Sequence, residues 1–252
     1  MVAASLQEKF YEYDVSNIDI EKAALIGVSS PRPMKYSDVH NAVETTHAVA
    51  KDDPVFDYLL ESQPSGPDKF RISLTQAIGL SVAIYGRKAW CVEDGKGFVL
   101  FQEYYKSPGP VEKMLQKTAR TLSVLLQSLR SREQKKRVAE VSQKMKNSIE
   151  TTLGKDRVKE MVELSTIGVY PELQGKGYGT QLAKVVSAVA DAQGRECFLL
   201  SSNVKVNTVF YNNLGYETVD IFLLGEDNPK WDKEPVPVAL MVRPSFQGRN
   251  KY

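Results

Sequence analysis

The chain has 252 residues, of which 42% are hydrophobic and 25% charged, and its formal net charge is +2 at pH 7. This is enough for one large folded domain or two small ones. So small a net charge does not indicate a nucleic-acid partner, and no apolar run approaches the roughly 20 residues that span a membrane. The N-terminus lacks the basic and apolar pattern of a signal peptide, so we expect a soluble, cytoplasmic protein. Cys91 and Cys197 lie in apolar runs and predict buried free thiols rather than a disulfide.

The first part of the chain predicts one strand followed by helices. Residues 1–22 are polar with scattered aromatic side chains, which is typical of an arm, and residues 23–34 could form a first strand. Three helices follow, namely 39–49 with Ser37 or Asp38 as its cap, a short one that starts at Asp53 and Pro54, and 70–85.

A hairpin and a long helical region come next. The turn sequence Asp94–Gly97 separates two apolar runs, 89–93 and 98–105. Two apolar stripes at helical spacing then extend over 111–152, with a basic run, 130–137, between them. The basic run could meet an acidic partner, but such runs are more often a solvated helical face or a turn between helices.

The stretch 164–192 predicts a strand, a glycine turn and a helix. The apolar run Ile167–Val169 is ended by Pro171, and Gln174–Gly179 leads directly into a pattern with an apolar helical face. The first turn of a helix leaves backbone N–H groups unpaired, its dipole adds partial positive charge, and glycines let an anion approach closely. Lys176 adds a full charge, so the stretch predicts a phosphate-binding site.

The spacing of the glycines excludes two common phosphate sites. A Walker A loop needs Ser or Thr after Gly-Lys, whereas Gly177 follows Lys176. A dinucleotide fingerprint needs G-x-G-x-x-G and a later acidic residue, whereas Gly179 completes G-x-G-x-G and the next strand ends in Ser201–Asn203. A tight glycine turn without a ligand is the alternative.

The remainder of the chain predicts alternating short elements. A strand at Cys197–Ser201 is followed by a helix that Asn203 can cap and Gly215 stops. Strands at 216–224 and 238–242 close the pattern. The order of elements predicts an α/β domain.

Two motifs carry a resemblance to a known family. Gln174, Gly177 and Gly179 fill the pattern Q/R-x-x-G-x-G/A, which resembles the acetyl-CoA signature of the GNAT superfamily of N-acetyltransferases. Downstream, Tyr211 stands four residues before the pair Gly215-Tyr216, as in the second GNAT hallmark. The alternative for Tyr211 is that it is an ordinary packing aromatic.

The N-terminal half resembles a GNAT subgroup common in fungi and actinobacteria, which often carries a helical insert before the acetyl-CoA motif. The resemblance implies one domain over 23–244, an insert over about 111–152 and a tail over 245–252. It also implies an α/β (α+β) GNAT fold, with a mixed, strongly twisted sheet flanked by helices and splayed open between the strands at Ile167 and Phe198.

The resemblance implies acetyl-CoA (coenzyme A) as the cofactor, with its pantetheine arm on the first strand and its pyrophosphate on the glycine turn. The implied cofactor contacts are Ile167, Gly168, Val169, Gln174, Gly175, Lys176, Gly177, Tyr178, Gly179, Thr180, Asn203, Asn207 and Tyr211. We expect no metal.

The implied reaction is direct attack of a primary amine on the thioester through a tetrahedral intermediate. A backbone N–H near Val169 can stabilise the oxyanion, and Tyr211 is placed as the general acid. Many relatives supply a Glu base near the positions that Ser165 and Thr166 occupy here, so the base stays open. Ser165 is one candidate and Glu103, acting through a water, is another. Glu163 is nearby, but the sequence does not define which face it occupies.

Five aromatic residues suggest a partly apolar amine pocket, although ordinary packing explains them equally well. They are Phe56, Tyr58, Tyr104, Tyr105 and Trp231. We expect an acyltransferase that acetylates a small-molecule amine and works as a monomer or homodimer, without nucleic acid or membrane. The alternatives are a protein or peptide lysine acetyltransferase and a non-catalytic acyl-CoA-binding sensor.

Overall fold

The computed structural model describes residues 29–60 and 66–245. Its strands are β1 (Arg32–Pro33), β2 (Ala89–Val92), β3 (Gly97–Glu103), β4 (Val162–Val169), β5 (Cys197–Ser201), β6 (Glu217–Leu224) and β7 (Val236–Arg243). Its helices are α1 (Val39–Ala50), α2 (Pro54–Leu59), α3 (Gly66–Tyr85), α4 (Pro110–Ser128), α5 (Arg132–Thr152), α6 (Lys155–Lys159), α7 (Tyr178–Asp191) and α8 (Val204–Asn212). The predicted arm, residues 23–28 of the predicted first strand and the tail from residue 246 lie outside the described residues.

The strands form one seven-stranded sheet in the order β1-β2-β3-β4-β5-β7-β6. Neighbouring strands are antiparallel except β4 and β5, which are parallel. The parallel pair shares only two residue pairs, Val162 with Cys197 and Glu163 with Phe198. Beyond these pairs the two strands part, which confirms a mixed sheet that is open at its centre.

A β-bulge interrupts β4 close to the point of separation. Leu100 of β3 pairs with Thr166 and the next residue, Phe101, pairs with Leu164, so Ser165 is the extra residue. Its hydroxyl donates a hydrogen bond to the Leu100 carbonyl oxygen at 3.1 Å. A bulge changes which residues of a strand point to each face of the sheet.

Helices cover both faces of the sheet. On one side, here called the α7 face, Leu164 of β4 packs with Leu182 and Val186 of α7. On the opposite side, the α1 face, Phe98 of β3 packs against α1 and α3. Phe198 of β5 packs on the same face against residues of α5 and α6 and their immediate neighbours. Burying one such side chain contributes about 1.5–3 kcal/mol.

The predicted helical region is a pair of helices, α4 and α5. The basic run crosses the turn between them, where Ser131 caps α5 and exchanges hydrogen bonds with Gln134. Arg137, at the end of the run, is only 4% exposed. Both cysteines, Cys91 and Cys197, are buried free thiols, as predicted. Within the described ranges, the helices are too short or too polar to serve as membrane spans.

Candidate functional site

The glycine turn before α7 is open on its outer side. Gly175 and Gly177 have φ values of +74° and +85°, in the left-handed region that favours glycine. A Cβ atom added to either would meet no atom within 4 Å. Gly177 is the N-cap residue of α7. The chain therefore approaches the helix through a turn whose two glycines leave the backbone accessible, and this turn, residues 174–180, is called the cradle below.

Unpaired backbone N–H groups line this cradle. In the described part of the chain, the N–H groups from Gly175 to Thr180 have no hydrogen-bond partner. The first paired one is that of Gln181, which donates to the Gly177 carbonyl oxygen at 3.1 Å. The Lys176 side chain is exposed beside them. Such groups at a helix N-terminus are suited to hold a phosphate.

Two side chains of the motif brace the turn. The Gln174 Nε2 atom donates to the Val169 carbonyl oxygen at 3.0 Å, which fixes the turn to the end of β4. The Tyr178 ring is buried in the core, and its hydroxyl donates to the Glu93 carboxylate at 2.6 Å. These side-chain roles are structural, so only the Tyr178 backbone is directed at the cradle.

The separation of β4 and β5 leaves a gap with unpaired polar groups. From Leu164 onwards, β4 is paired with β3 alone, so its other edge has no strand partner among the described residues. The Ser201 hydroxyl at the end of β5 is buried and has no hydrogen-bond partner in the described part of the chain. Buried polar groups are nearly always hydrogen-bonded, so a missing partner of this kind is consistent with a ligand site.

Tyr211 lies on α8, on the α7 face of the gap. The residue is 5% exposed, and its hydroxyl is without a hydrogen-bond partner among the described residues. Burial, helped by the negative charge of Asp53, raises the pKa of Tyr211 to about 12. The hydroxyl therefore stays protonated at neutral pH. Asn203 and Asn207 are half-buried at the start of the same helix, and Asn203 Nδ2 donates to the Asp52 carbonyl oxygen at 3.4 Å.

The two base candidates named from the sequence are engaged elsewhere. Glu103 lies on the α7 face, where it accepts a hydrogen bond from the Tyr105 hydroxyl at 2.5 Å and pairs with Lys106 at 2.6 Å. Ser165 is the exposed bulge residue already bonded to Leu100.

Glu163 is a third carboxylate and occupies the opposite face. It stands beside Gln102 and Phe198, which place it on the α1 face. Its Oε2 atom accepts a hydrogen bond from the Tyr104 hydroxyl at 2.5 Å. Burial raises the pKa of Glu163 above the ordinary glutamate value, because water is excluded from its charged form. The sequence could not reveal this placement, since the bulge reverses the alternation of the strand.

Asp53 connects the end of β5 to α2. A helix starts at Asp53 and Pro54, as predicted, and the Asp53 carboxylate caps it by accepting from the backbone N–H groups of Val55 at 2.9 Å and Phe56 at 3.1 Å. It also accepts a hydrogen bond from the hydroxyl of Ser202, the residue after β5. This second contact is not encoded in local sequence, and it fixes α2 next to the gap.

A cavity of about 630 Å³ lies on the α1 face, between α1, α2, α3, α5 and the loop that joins β6 to β7. Of the predicted substrate aromatics, Phe56 and Trp231 line it. Tyr58 is fully buried behind it, Tyr104 stacks on Phe198, and Tyr105 packs under Arg195 on the α7 face. The structure therefore brings two of the five together at the cavity wall.

The cavity also contains charged and polar side chains that the sequence did not assign to a site. His47 of α1 is hydrogen-bonded through Nε2 to the Ser73 hydroxyl at 2.7 Å. The charged lining residues are Glu44, Lys51, Asp57, Lys69, Arg137, Lys230, Asp232 and Lys233. The pocket is thus mixed in character rather than mainly apolar.

No family model matches the sequence, and no curated protein matches it. Among solved structures, the chain is similar to arylalkylamine N-acetyltransferase 2 from Aedes aegypti, with a TM-score of 0.52 and 14% identity over 85% of this chain and 97% of the other. An N-acetyltransferase from Staphylococcus aureus gives a TM-score of 0.49 at 13% identity over 85% of this chain and all of the other. The Drosophila melanogaster polyamine N-acetyltransferase gives a TM-score of 0.49 at 13% identity, over 85% of this chain and 98% of the other. At these identities the similarity shows the fold alone.

Proposed function

We propose that this chain, which has the GNAT fold, is a member of that superfamily and transfers an acetyl group from acetyl-CoA to the primary amine of a small molecule. The observation that supports this best is the parting of β4 and β5 after two residue pairs, with the glycine cradle following β4. An open strand edge can hydrogen-bond an extended amide-containing arm, and the cradle can hold a diphosphate.

The residues present fit an acyl-CoA. The unpaired N–H groups from Gly175 to Thr180 and the charge of Lys176 would hold its phosphates. The free edge of β4 would bind the pantetheine amides, and the orphaned Ser201 hydroxyl lies at the end of β5, the other strand beside the gap. When bound, the thioester supplies the acetyl group.

Tyr211 would act as the general acid. In the transfer, the amine nitrogen forms a bond to the carbonyl carbon, the carbon–sulfur bond breaks, and the sulfur takes a proton. The Tyr211 hydroxyl has a proton to give at neutral pH and no competing acceptor in the described part of the chain.

Glu163 fits the role of general base better than Glu103 or Ser165. An amine attacks only when neutral, so a group must take a proton from the ammonium form or during attack. The raised pKa of Glu163 brings its proton affinity closer to neutral pH, and Glu163 lies outside the cavity lining but on the same face of the sheet as the cavity. Glu103 is on the other face and held by Lys106.

The acceptor would bind in the cavity on the α1 face and reach the thioester through the gap. A volume of about 630 Å³ suits a small molecule. Asp53 ties one cavity wall to the end of β5 through Ser202, which fixes the cavity next to the gap. One solved protein with this fold is an arylalkylamine N-acetyltransferase, which favours a small amine over a protein lysine.

A thiol-release assay with acetyl-CoA and a panel of amines, amino acids, polyamines, amino sugars and lysine peptides tests the proposal. We expect turnover with at least one small amine. Turnover with peptides alone would support the lysine acetyltransferase alternative. Tight coenzyme A binding in calorimetry without turnover on any acceptor would support the sensor alternative, and no binding at all would refute all three.

A further inference from the structure

A buried ion pair on α5 plays no part in the reaction described above. Arg137 and Glu133 stand one helical turn apart, with side chains 5% and 7% exposed, and the Arg137 Nε atom donates to Glu133 Oε1 at 2.8 Å. Asn228 Nδ2 also donates to Glu133 Oε1, at 2.7 Å. A buried pair offsets its desolvation cost only when its remaining donors are satisfied, so the other contacts of the guanidinium matter.

Those contacts reach two other elements. Nη1 of Arg137 donates to the Tyr58 carbonyl oxygen of α2 at 2.8 Å, and Nη2 donates to the Lys230 carbonyl oxygen at 3.2 Å. The guanidinium also lies over the rings of Tyr58 and Trp231, at 5.2 and 5.5 Å from their centroids. One side chain of the insert thus joins α5, α2 and the loop over residues 225–235.

The 225–235 loop depends on such contacts for its position. It joins β6 to β7 outside the strand pairing, and its backbone bonds are short-range turns, such as Trp231 N to the Asn228 carbonyl oxygen at 2.9 Å. Glu140 of α5 anchors the start of the loop by accepting from Gly225 N at 3.0 Å, and it also accepts from the Tyr58 hydroxyl at 2.5 Å.

The same loop forms one wall of the cavity. Lys230, Trp231, Asp232 and Lys233 all line it, as does Arg137 itself. The Trp231 ring packs edge-on against Tyr58, with centroids 5.1 Å apart. The shape of this wall therefore depends on a guanidinium that belongs to the helical insert.

We propose that Arg137 is a positioning residue that fixes the 225–235 loop as a wall of the acceptor cavity, so that the α4–α5 insert controls acceptor binding. The positional part stands on the contacts alone, whereas the part about the acceptor rests on the proposed function. Because guanidinium geometry provides the bidentate fork and the stacking surface, lysine cannot replace it.

Trp231 provides a readout that does not need activity. The chain has two tryptophans, so a Trp90→Phe background leaves Trp231 as the sole tryptophan, which can be excited selectively over the tyrosines. In this background, Arg137→Met should raise acrylamide quenching of Trp231 by roughly twofold or more, because the loop is released. Lys136→Met, at the exposed neighbouring position, is the matched control and should leave quenching unchanged.

Steady-state kinetics tests the acceptor part. Arg137→Met and Arg137→Lys should raise the acceptor KM by about tenfold while coenzyme A affinity changes by less than about twofold. Coenzyme A binding and far-ultraviolet circular dichroism verify the fold, and Arg137→Lys serves if the methionine variant does not fold. Unchanged Trp231 quenching in the folded variant overturns the proposal. Increased quenching with an unchanged acceptor KM overturns the claim that the insert controls acceptor binding. Absence of turnover in the parent protein counts against the proposed function alone.

Discussion

Gly177→Glu is the sharpest test of the proposed phosphate cradle, because the chain provides a control glycine with positive φ outside it. Gly177 is the N-cap of α7 with φ +85°, and Gly154 is the N-cap of α6 with φ +77°. A Cβ atom at either position meets nothing within 4 Å. Their ψ angles differ, because Gly177 is in the left-handed region at ψ −3°, whereas Gly154 has ψ 147°, a region that is nearly confined to glycine. A glutamate therefore costs about 1–2 kcal/mol of backbone energy at Gly177 and at least as much at Gly154, and only Gly177 lies in the cradle.

The expected effect on binding is much larger than that on stability. A carboxylate held about 4 Å from a phosphate charge near the surface is repelled by about 4 kcal/mol, which weakens binding by roughly a thousandfold. The backbone cost alone should lower the melting temperature of both variants by a few degrees, roughly 2–4 °C per kcal/mol at this size. Gly177→Gln separates the effect of side-chain volume from that of charge, because glutamine fills the same space as glutamate without repelling the phosphate.

Calorimetric titration with coenzyme A measures the difference. Gly154→Glu should bind as the parent protein does, Gly177→Gln should bind more weakly, and Gly177→Glu should show no measurable heat. If Gly177→Glu kept an affinity within about tenfold of the Gly154→Glu control, the phosphates would lie elsewhere and the reasoning about the cradle would be refuted.

Three further substitutions test acid, base and stability. Tyr211→Phe should lower kcat by roughly 10²–10⁴ while leaving coenzyme A affinity unchanged, and an unchanged kcat would exclude the hydroxyl as the acid. Activity should fall on acidification through the raised pKa of Glu163, so its acid limb should lie above the ordinary glutamate range and should disappear from the pH–rate profile of Glu163→Gln. The Arg32 guanidinium lowers the pKa of Asp38 to about 2. At pH values above the unfolded pKa, this pair should therefore add about 2 kcal/mol to the free energy of unfolding, and this contribution should be lost as the pH falls from about 5 towards 2. Urea unfolding at pH 7 and pH 2.5 should show a smaller difference for Asp38→Asn than for the parent protein.

Features that depend on neighbouring residues were predictable from the sequence. Cys197–Ser201 is a strand with the predicted bounds, and Asp53 and Pro54 begin a helix because a carboxylate cap and a fixed proline φ act locally. Gly177 was predicted to lie in a turn that leads into a helix, and its positive φ explains why glycine stands there. In each case the stabilising group and its target are within a few residues of one another.

Contacts between distant segments were not predictable in this way. The run over 130–137 reads as surface charge, yet Arg137 is buried, because its partners are Tyr58 and Lys230, 79 and 93 residues away in the chain. No periodicity distinguishes this arginine from Lys136, which is exposed. The distinction arises only when α2 and the 225–235 loop are brought against α5.

Glu163 shows how one extra residue in a strand decides which face of the sheet a carboxylate occupies. Counting back from Ile167, which faces α7, strict alternation places Ser165 and Glu163 on the α7 face too. The bulge at Ser165 inserts an extra residue, so Glu163 instead lies beside Phe198 on the α1 face, where the cavity is. The same bulge occurs just after the last residue pair shared by β4 and β5. The point where the sheet opens therefore coincides with the point where the side chains of β4 change faces, which places the Glu163 carboxylate on the α1 face. Glu163 therefore lies on the face of the sheet that bears the cavity and Glu103 on the opposite face, a difference that a count along the sequence does not reveal.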